Sequence, residues 1–219
     1  MTENPRQFPC TVWLGISFAF GLLGLTYIVA LTKMERTRQV VLPVLGQIAS
    51  FTLTNQNGQV ETLAGLSNHV WVADIIFTRC AGPCPRMTGQ MKLLQDLLPP
   101  TSGAKLVTLT TDPDNDTPAV MKKYGERFNA DFNRWKFLTG TKTEIAELAS
   151  GSLKLGAVPV KLEDQKSVAD LFIHTTIFVI VDKHARLRGV FETGGEGVDW
   201  TNVVQPKLLA TVRQLESQK

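Results

Sequence analysis

VWVADIIFTRCAGPCP, residues 70–85, is the stretch that decides the fold. Its first nine residues are nearly all apolar and rich in β-branched side chains, as in a strand buried on both faces, and they run directly into two cysteines. The cysteines therefore sit at the C-terminal end of a strand. Beyond them Met87, Met91, Leu94 and Leu98 recur at helical spacing, and Pro99-Pro100 marks where that helix stops. Strand, cysteine loop and helix form the first unit, and the Met87/Met91 stripe reads as core rather than as a second metal site.

On the N-terminal side, the alternation in IASFTLTN, the Asn57-Gly58 turn and QVETL predict a β-hairpin. On the C-terminal side KLVTLTT (105–111) is a second buried strand, and Thr117-Pro118 opens a helix that runs to about Phe128. WKFLT (135–139) is a short strand, and Thr141 or Thr143 caps a helix through Ala149. TTIFVIVD (175–182) and RLRGVFE (186–192) predict a hairpin, and Asp199 precedes a last amphipathic helix bearing Leu208, Val212 and Leu215. β-α-β followed by β-β-α, without internal repeats, implies an α/β domain with a central mixed sheet and helices on both faces.

Composition narrows the class. With 219 residues, 43% hydrophobic and 20% charged, the chain is neither disordered, collagenous nor a coiled coil. Twenty-three Lys plus Arg against 20 Asp plus Glu leave +3, too balanced for a nucleic-acid surface. Three cysteines, Cys10, Cys80 and Cys84, cannot build a multi-bridge scaffold, so the body relies on a hydrophobic core.

VWLGISFAFGLLGLTYIVAL, residues 12–31, is an uncharged run of 20, long enough to carry a helix across about 30 Å of hydrocarbon. We read a single membrane anchor, in preference to a cleaved signal peptide or a buried core helix, because no A-x-A site follows it. The organisation expected is a short tail (1–11), the anchor (12–31), a tether (32–46) and one domain (47–219). Arg6 on one side and Lys33, Arg36 and Arg38 on the other would by themselves hold the body in the cytoplasm. Long domains translocate largely regardless of nearby charge, so the chemistry of the body must decide the orientation. Cys10, in the context QFPC, lacks a lipidation setting and reads as an incidental thiol at the membrane edge.

Cys80-Ala-Gly-Pro-Cys84-Pro85 is where chemistry concentrates. Two thiols four apart at a strand-to-helix junction can point to one place, and a helix N-terminus favours the thiolate. Such a pair exchanges electrons or holds a soft metal. Three intervening residues widen the bite beyond that of a C-x-x-C motif, and two thiolates with few other ligands suit Cu(I). His174, just before the apolar run of the late hairpin, is either a third ligand able to extend the site to Cu(II) or a capped loop residue. His69 and His184 lie in polar contexts, and no second cysteine pair exists to build a structural zinc site.

FTRCAGPCP, DPDNDTPAVMKKYGERF, WKFLTG and FIHTTIFVIVD, in that order, resemble the Sco/SenC family of copper-binding, membrane-anchored proteins of cytochrome c oxidase assembly. The resemblance covers roughly residues 45–215, and Ala81-Gly82-Pro83 departs from the Pro-Asp-Val-like loop common in the family. It implies a thioredoxin-like fold, copper held by Cys80, Cys84 and His174, and delivery of copper to, or thiol reduction of, the dinuclear copper site of oxidase subunit II. The Asp side chains of DPDNDTP (112–118) read as caps for turns and for the next helix.

The expected function is therefore a copper metallochaperone on the outer face of a bacterial inner membrane, with a monomeric soluble domain in the periplasm and no nucleic-acid partner. The alternative is a thiol-disulfide oxidoreductase using Cys80 and Cys84. The lack of a long Arg-rich, acid-poor leader argues against a mitochondrial precursor.

Overall fold

The computed structural model describes residues 17–18, 20–28, 41–156 and 176–218. The chain divides into two units, Met1–Val41 and Leu42–Lys219. In the first, residues 20–28 are helical. Among the described residues no helix is long and apolar enough to cross a membrane. The anchor expected at 12–31 is described only in part, and Cys10 lies outside the described residues.

The second unit contains strands β1 (Gly46–Gln47), β2 (Thr52–Asn55), β3 (Val60–Thr62), β4 (Trp71–Ile76), β5 (Lys105–Thr110), β6 (Trp135–Thr139), β7 (Ile177–Val181) and β8 (Arg186–Glu192). Its helices are α1 (Leu63–Leu66), α2 (Cys84–Leu97), α3 (Pro118–Arg127), α4 (Lys142–Ala146) and α5 (Gln205–Ser217). π-helical turns extend α4 over Glu147–Ser152 and lead into α5 over Trp200–Val204. The sheet order is β1-β8-β7-β4-β5-β6-β2-β3. β4, β5 and β6 run parallel, while β7 and β8 on one side and β2 and β3 on the other are antiparallel to their neighbours.

Every residue of β4 is buried, and its side chains alternate between two cores. Trp71, Ala73 and Ile75 meet the cluster that contains Ile145 and Leu148 from α4 and its extension, with Leu153 just beyond them. Val72 and Ile76 meet the opposite cluster, with Met87, Met91 and Leu94 of α2, Tyr124 of α3, and Leu208 and Val212 of α5. The mixed sheet between helices on both faces is thus present, and the methionine stripe is core, Met87 and Met91 being 1% and 0% exposed. Asp74, by the same alternation, projects toward the α2 side.

Local signals account for the boundaries. Thr117 caps α3 by accepting from Val120 N, with Pro118 preset for the first turn. Thr141, and not Thr143, caps α4 in a reciprocal capping box with Glu144. At Gly125 a Cβ would come within 2.8 Å of Phe132 and 2.9 Å of Phe137, so glycine permits α3 to lie close against β6. QVETL ends as a strand at Thr62, because Leu63 begins the short helix α1.

The edge strand β1 had no signal in the sequence. Gly46 and Gln47 pair with Leu187 and Arg186, and Leu45 N donates to Leu187 O. Behind this edge the buried Arg188 donates to the carbonyls of Leu42 and Pro43 and to Asp182 Oδ2 at 2.7 Å. The segment 42–47 is therefore laid onto β8.

Candidate metal centre

β4 delivers the cysteine loop and α2 receives it. Cys84 is the first residue of α2, with Pro83 before it and Pro85 after it. Its carbonyl accepts from Thr88 Oγ1 at 2.9 Å, and its side chain is 5% exposed. Cys80 is half-buried at the rim, where its sulfur accepts from Gly82 N at 3.3 Å. Both thiols are free.

The expected thiolate stabilisation at the helix N-terminus does not hold for Cys84. Burial pushes its thiol up to about 12, with the neighbouring Cys80 thiol and the negative charge of Asp74 acting in the same direction. Desolvation of a buried anion outweighs a partial charge at a helix end. Cys84 is thus a protonated thiol until a metal or a sulfur partner displaces the proton.

Below Cys84 lies a polar line that the sequence reading missed. Tyr124 OH donates to Thr88 Oγ1 at 2.8 Å, because the Thr88 hydrogen is committed to the Cys84 carbonyl. Trp135 Nε1 donates to Thr108 Oγ1 at 2.9 Å, and Thr108 donates to Asp74 Oδ1 at 2.6 Å. Asp74 is fully buried, and burial raises its carboxyl from 3.8 to about 7. One signal could have revealed it: an acid within a strand otherwise built of buried apolar residues.

The loop is also held from the side. Asp116, 0% exposed, accepts from Thr78 N at 3.0 Å, from Thr78 Oγ1 at 2.5 Å and from Thr110 Oγ1 at 2.5 Å. Asp112 accepts from Arg79 at 2.7 Å and from Asn115 Nδ2 at 2.8 Å. Burial works against the charge of Asp112, yet the Asn115 and Arg79 bonds hold its carboxyl below the usual range. Across its own turn the Asp112 carboxylate accepts from the Asn115 side chain rather than from a backbone N–H, the cap of α3 is Thr117, and Asp116 reaches instead to Thr78, just past the end of β4.

Among the described residues, no cluster of three or more His, Cys, Asp or Glu side chains is arranged to hold a metal. His174, the expected third ligand, lies outside the described residues. Thr176, two residues on, is described. Its carbonyl accepts from Thr193 N at 2.6 Å and Thr193 Oγ1 at 2.8 Å, and its hydroxyl bonds to Gly194 O at 2.9 Å. Thr193 O accepts from Gln90 of α2 at 2.9 Å, and the Arg86 guanidinium lies over Gly194. The antiparallel register Ala73↔Val179 likewise puts the start of β7 at the end of the sheet where β4 leads to Cys80. His69 and His184 sit at the opposite end, before β4 and in the β7–β8 turn. His69 there bonds to Gly103 O at 2.8 Å.

Chemically, the arrangement offers two sulfurs of unequal exposure, suited to a soft cation or to thiol exchange. A family model described as SCO1/SenC matches residues 46–205. The SCO1 protein homolog of Bacillus subtilis is 36% identical over 146 residues, covering 66% of this chain and 72% of that protein. The structure of BsSco, described as a member of the Sco family of cytochrome c oxidase assembly proteins with a disulfide switch, is 28% identical, with a TM-score of 0.66. That match covers 83% of this chain and 100% of the other. The fold is also that of Bradyrhizobium japonicum ScoI with copper bound, at 21% identity and a TM-score of 0.54, over 77% of this chain and 99% of the other.

Proposed function

The chain belongs to the SCO1/SenC family, and we propose that it is a membrane-anchored copper chaperone. It would deliver copper to the dinuclear copper site of cytochrome c oxidase subunit II, or prepare the cysteines of that site. The observation that carries this reading is the pair of free thiols of Cys80 and Cys84, one at the rim and one buried, where β4 leads into α2. Copper is the cargo. Cys80 and Cys84 supply sulfur ligands for Cu(I), and His174 adds the imidazole that extends binding to Cu(II). Copper bound to ScoI of Bradyrhizobium japonicum, on the same fold, supports the choice of metal. The body would stand outside the cytoplasm of a bacterium, anchored in the inner membrane through residues 12–31.

The unequal exposure of the two thiols favours a second reading, thiol-disulfide exchange, and a disulfide switch is described for BsSco. Rim-exposed Cys80 would attack a target disulfide and form a mixed disulfide, releasing one target thiol. Cys84 would then lose its proton and attack Cys80 Sγ, releasing the second target thiol. Two electrons pass to the target, and the Cys80–Cys84 disulfide remains.

The test is a Cu(I) titration of the reduced full chain against a competing chelator. One equivalent should bind, and Cys80→Ser or Cys84→Ser should abolish it, since a hydroxyl is a poor ligand for a soft cation. Retention of Cu(I) by either variant overturns the site. His174→Ala separates the two readings: loss of Cu(II) with intact thiol exchange supports the chaperone, whereas an unchanged Cu(II) spectrum makes the oxidoreductase the preferred function.

A further inference from the structure

The two residues that precede Cys80 are both tied to one turn. Thr78 gives its amide and its hydroxyl to Asp116, at 3.0 and 2.5 Å, and Arg79 gives its guanidinium to Asp112 at 2.7 Å. The turn is closed on itself, because Asp116 N and Asn115 N donate to Asp112 O at 2.8 and 3.0 Å. It is bolted to the end of β5 as well, where Thr110 Oγ1 bonds Asp116 Oδ2 at 2.5 Å and accepts from Asp112 N at 2.9 Å.

Asp116 is fully buried, a costly place for a carboxylate, and its three donors supply the compensation. An acceptor-only group suits three donors; an amide in its place would turn N–H groups toward one of them. The loop itself has little else to hold it. From Thr78 to Gly82 the backbone bond is Cys80 N to Phe77 O, at 3.2 Å, with the contact from Gly82 N to the Cys80 sulfur beside it, and Pro83 already belongs to the first turn of α2, its carbonyl accepting from Met87 N at 3.0 Å. Cys84 is fixed independently, by α2 and its burial.

We infer that Asp116, with Asp112 beside it, is a positioning residue: the 112–116 turn sets where the Cys80 sulfur stands relative to Cys84 and thereby tunes the pair's disulfide equilibrium and copper spectrum. The inference rests on the reading of Cys80 and Cys84 as the functional pair. Cys84 belongs to the helix and Cys80 to the clamp, so the distance between their sulfurs is a distance between α2 and the turn. A displacement of a reacting group by a fraction of its bond reach is enough to change such chemistry by orders of magnitude.

The experiment equilibrates the full chain in detergent with glutathione buffers. Cys80 and Cys84 thiols reduce one oxidised glutathione to two reduced molecules and close the Cys80–Cys84 disulfide, which is read by mass after acid quench. Asp116→Asn should move the equilibrium constant at least about tenfold and shift the thiolate-to-Cu(II) absorption band, with Asp114→Asn at the parent value. Asp114 is the control because it is exposed and pairs with Lys142 instead. Should Asp116→Asn fail to fold, Thr78→Val, which removes one clamp donor and keeps the amide bond, must change the same two readouts. A folded Asp116→Asn or Thr78→Val with an equilibrium constant within about twofold of the parent, and an unchanged band, overturns the clamp. If the parent itself forms no disulfide and binds no copper, the functional reading has failed, and the clamp with it.

Discussion

Thr108 Oγ1 donates to Asp74 Oδ1 at 2.6 Å, and the other carboxyl oxygen of Asp74 has no partner among the described residues. A buried carboxyl with one hydrogen bond is better off protonated, which is why burial lifts it from 3.8 to about 7.

Stability should therefore fall as pH rises across that window. Below 3.8 both states hold the proton; between 3.8 and about 7 only the folded state does; above that both have lost it. The ionised folded state is then disfavoured by roughly 4 kcal/mol relative to acid conditions. Cys84 and Tyr124, which face the same site, are both raised well above this range and leave the window to Asp74. Asp74→Asn should nearly match the parent at pH 4 and exceed its stability by about 3–4 kcal/mol at pH 8. Urea midpoints at several pH values check this, and a difference that is the same at every pH counts against it.

Burial and thiol state predict unequal reactivity in the cysteine pair. Cys80 is half-buried at the rim, whereas Cys84 is 5% exposed and its thiol is pushed up to about 12. Iodoacetamide at pH 8 should modify Cys80 at least about tenfold faster than Cys84, which should react fully only after denaturation. Peptide mass analysis of timed samples reads the ratio, and equal rates would contradict the buried position.

Arg188 and Asp182 form a buried ion pair, with side chains 6% and 4% exposed, and Arg188 also holds the carbonyls of Leu42 and Pro43. Removing the Arg188 guanidinium leaves Asp182 with Arg186 and two backbone N–H groups but strips the carbonyls of Leu42 and Pro43 of their donor, so Arg188→Met should destabilise the domain by about 1–3 kcal/mol and expose residues 42–47 to proteolysis. Burial raises the Asp182 carboxyl, but the bonds from Arg188, Arg186 and His184 outweigh it and hold the group below its usual range. Its contribution is present above the ordinary carboxylate range and lost as pH falls below it. Thermal melts at pH 7 and pH 3 should show a smaller difference between variant and parent under acid.

Orientation is tested by fusion. A dithiol that alternates with a disulfide, or passes copper to an exported oxidase domain, works where disulfides persist. Alkaline phosphatase fused after Lys219 should be active; an inactive fusion with an active cytoplasmic reporter would place the body on the side that Lys33, Arg36 and Arg38 favour.

Much was legible in the sequence because it is local. A strand's period, the Asn57-Gly58 turn, the proline after Thr117 and the stripe of Met87, Met91 and Leu94 act within a few residues, and the elements they predict are present, most ends shifted by a residue or two and the first hairpin strand starting four residues later, at Thr52. The position of Cys80 and Cys84 at the mouth of a buried strand follows from the same stretch.

What only the tertiary structure decided is what lies beside those thiols. Parallel pairing of β4 with β5 sets Asp74 opposite Thr108 and brings the turn after β5 to Thr78, across 38 residues of chain. Register is a property of two strands together, so no single stretch encodes it. The protonated state of Cys84 was hidden for the same reason. Its helix N-terminus, visible in the sequence, argues for a thiolate, but burial is contributed by residues from every layer and outweighs it.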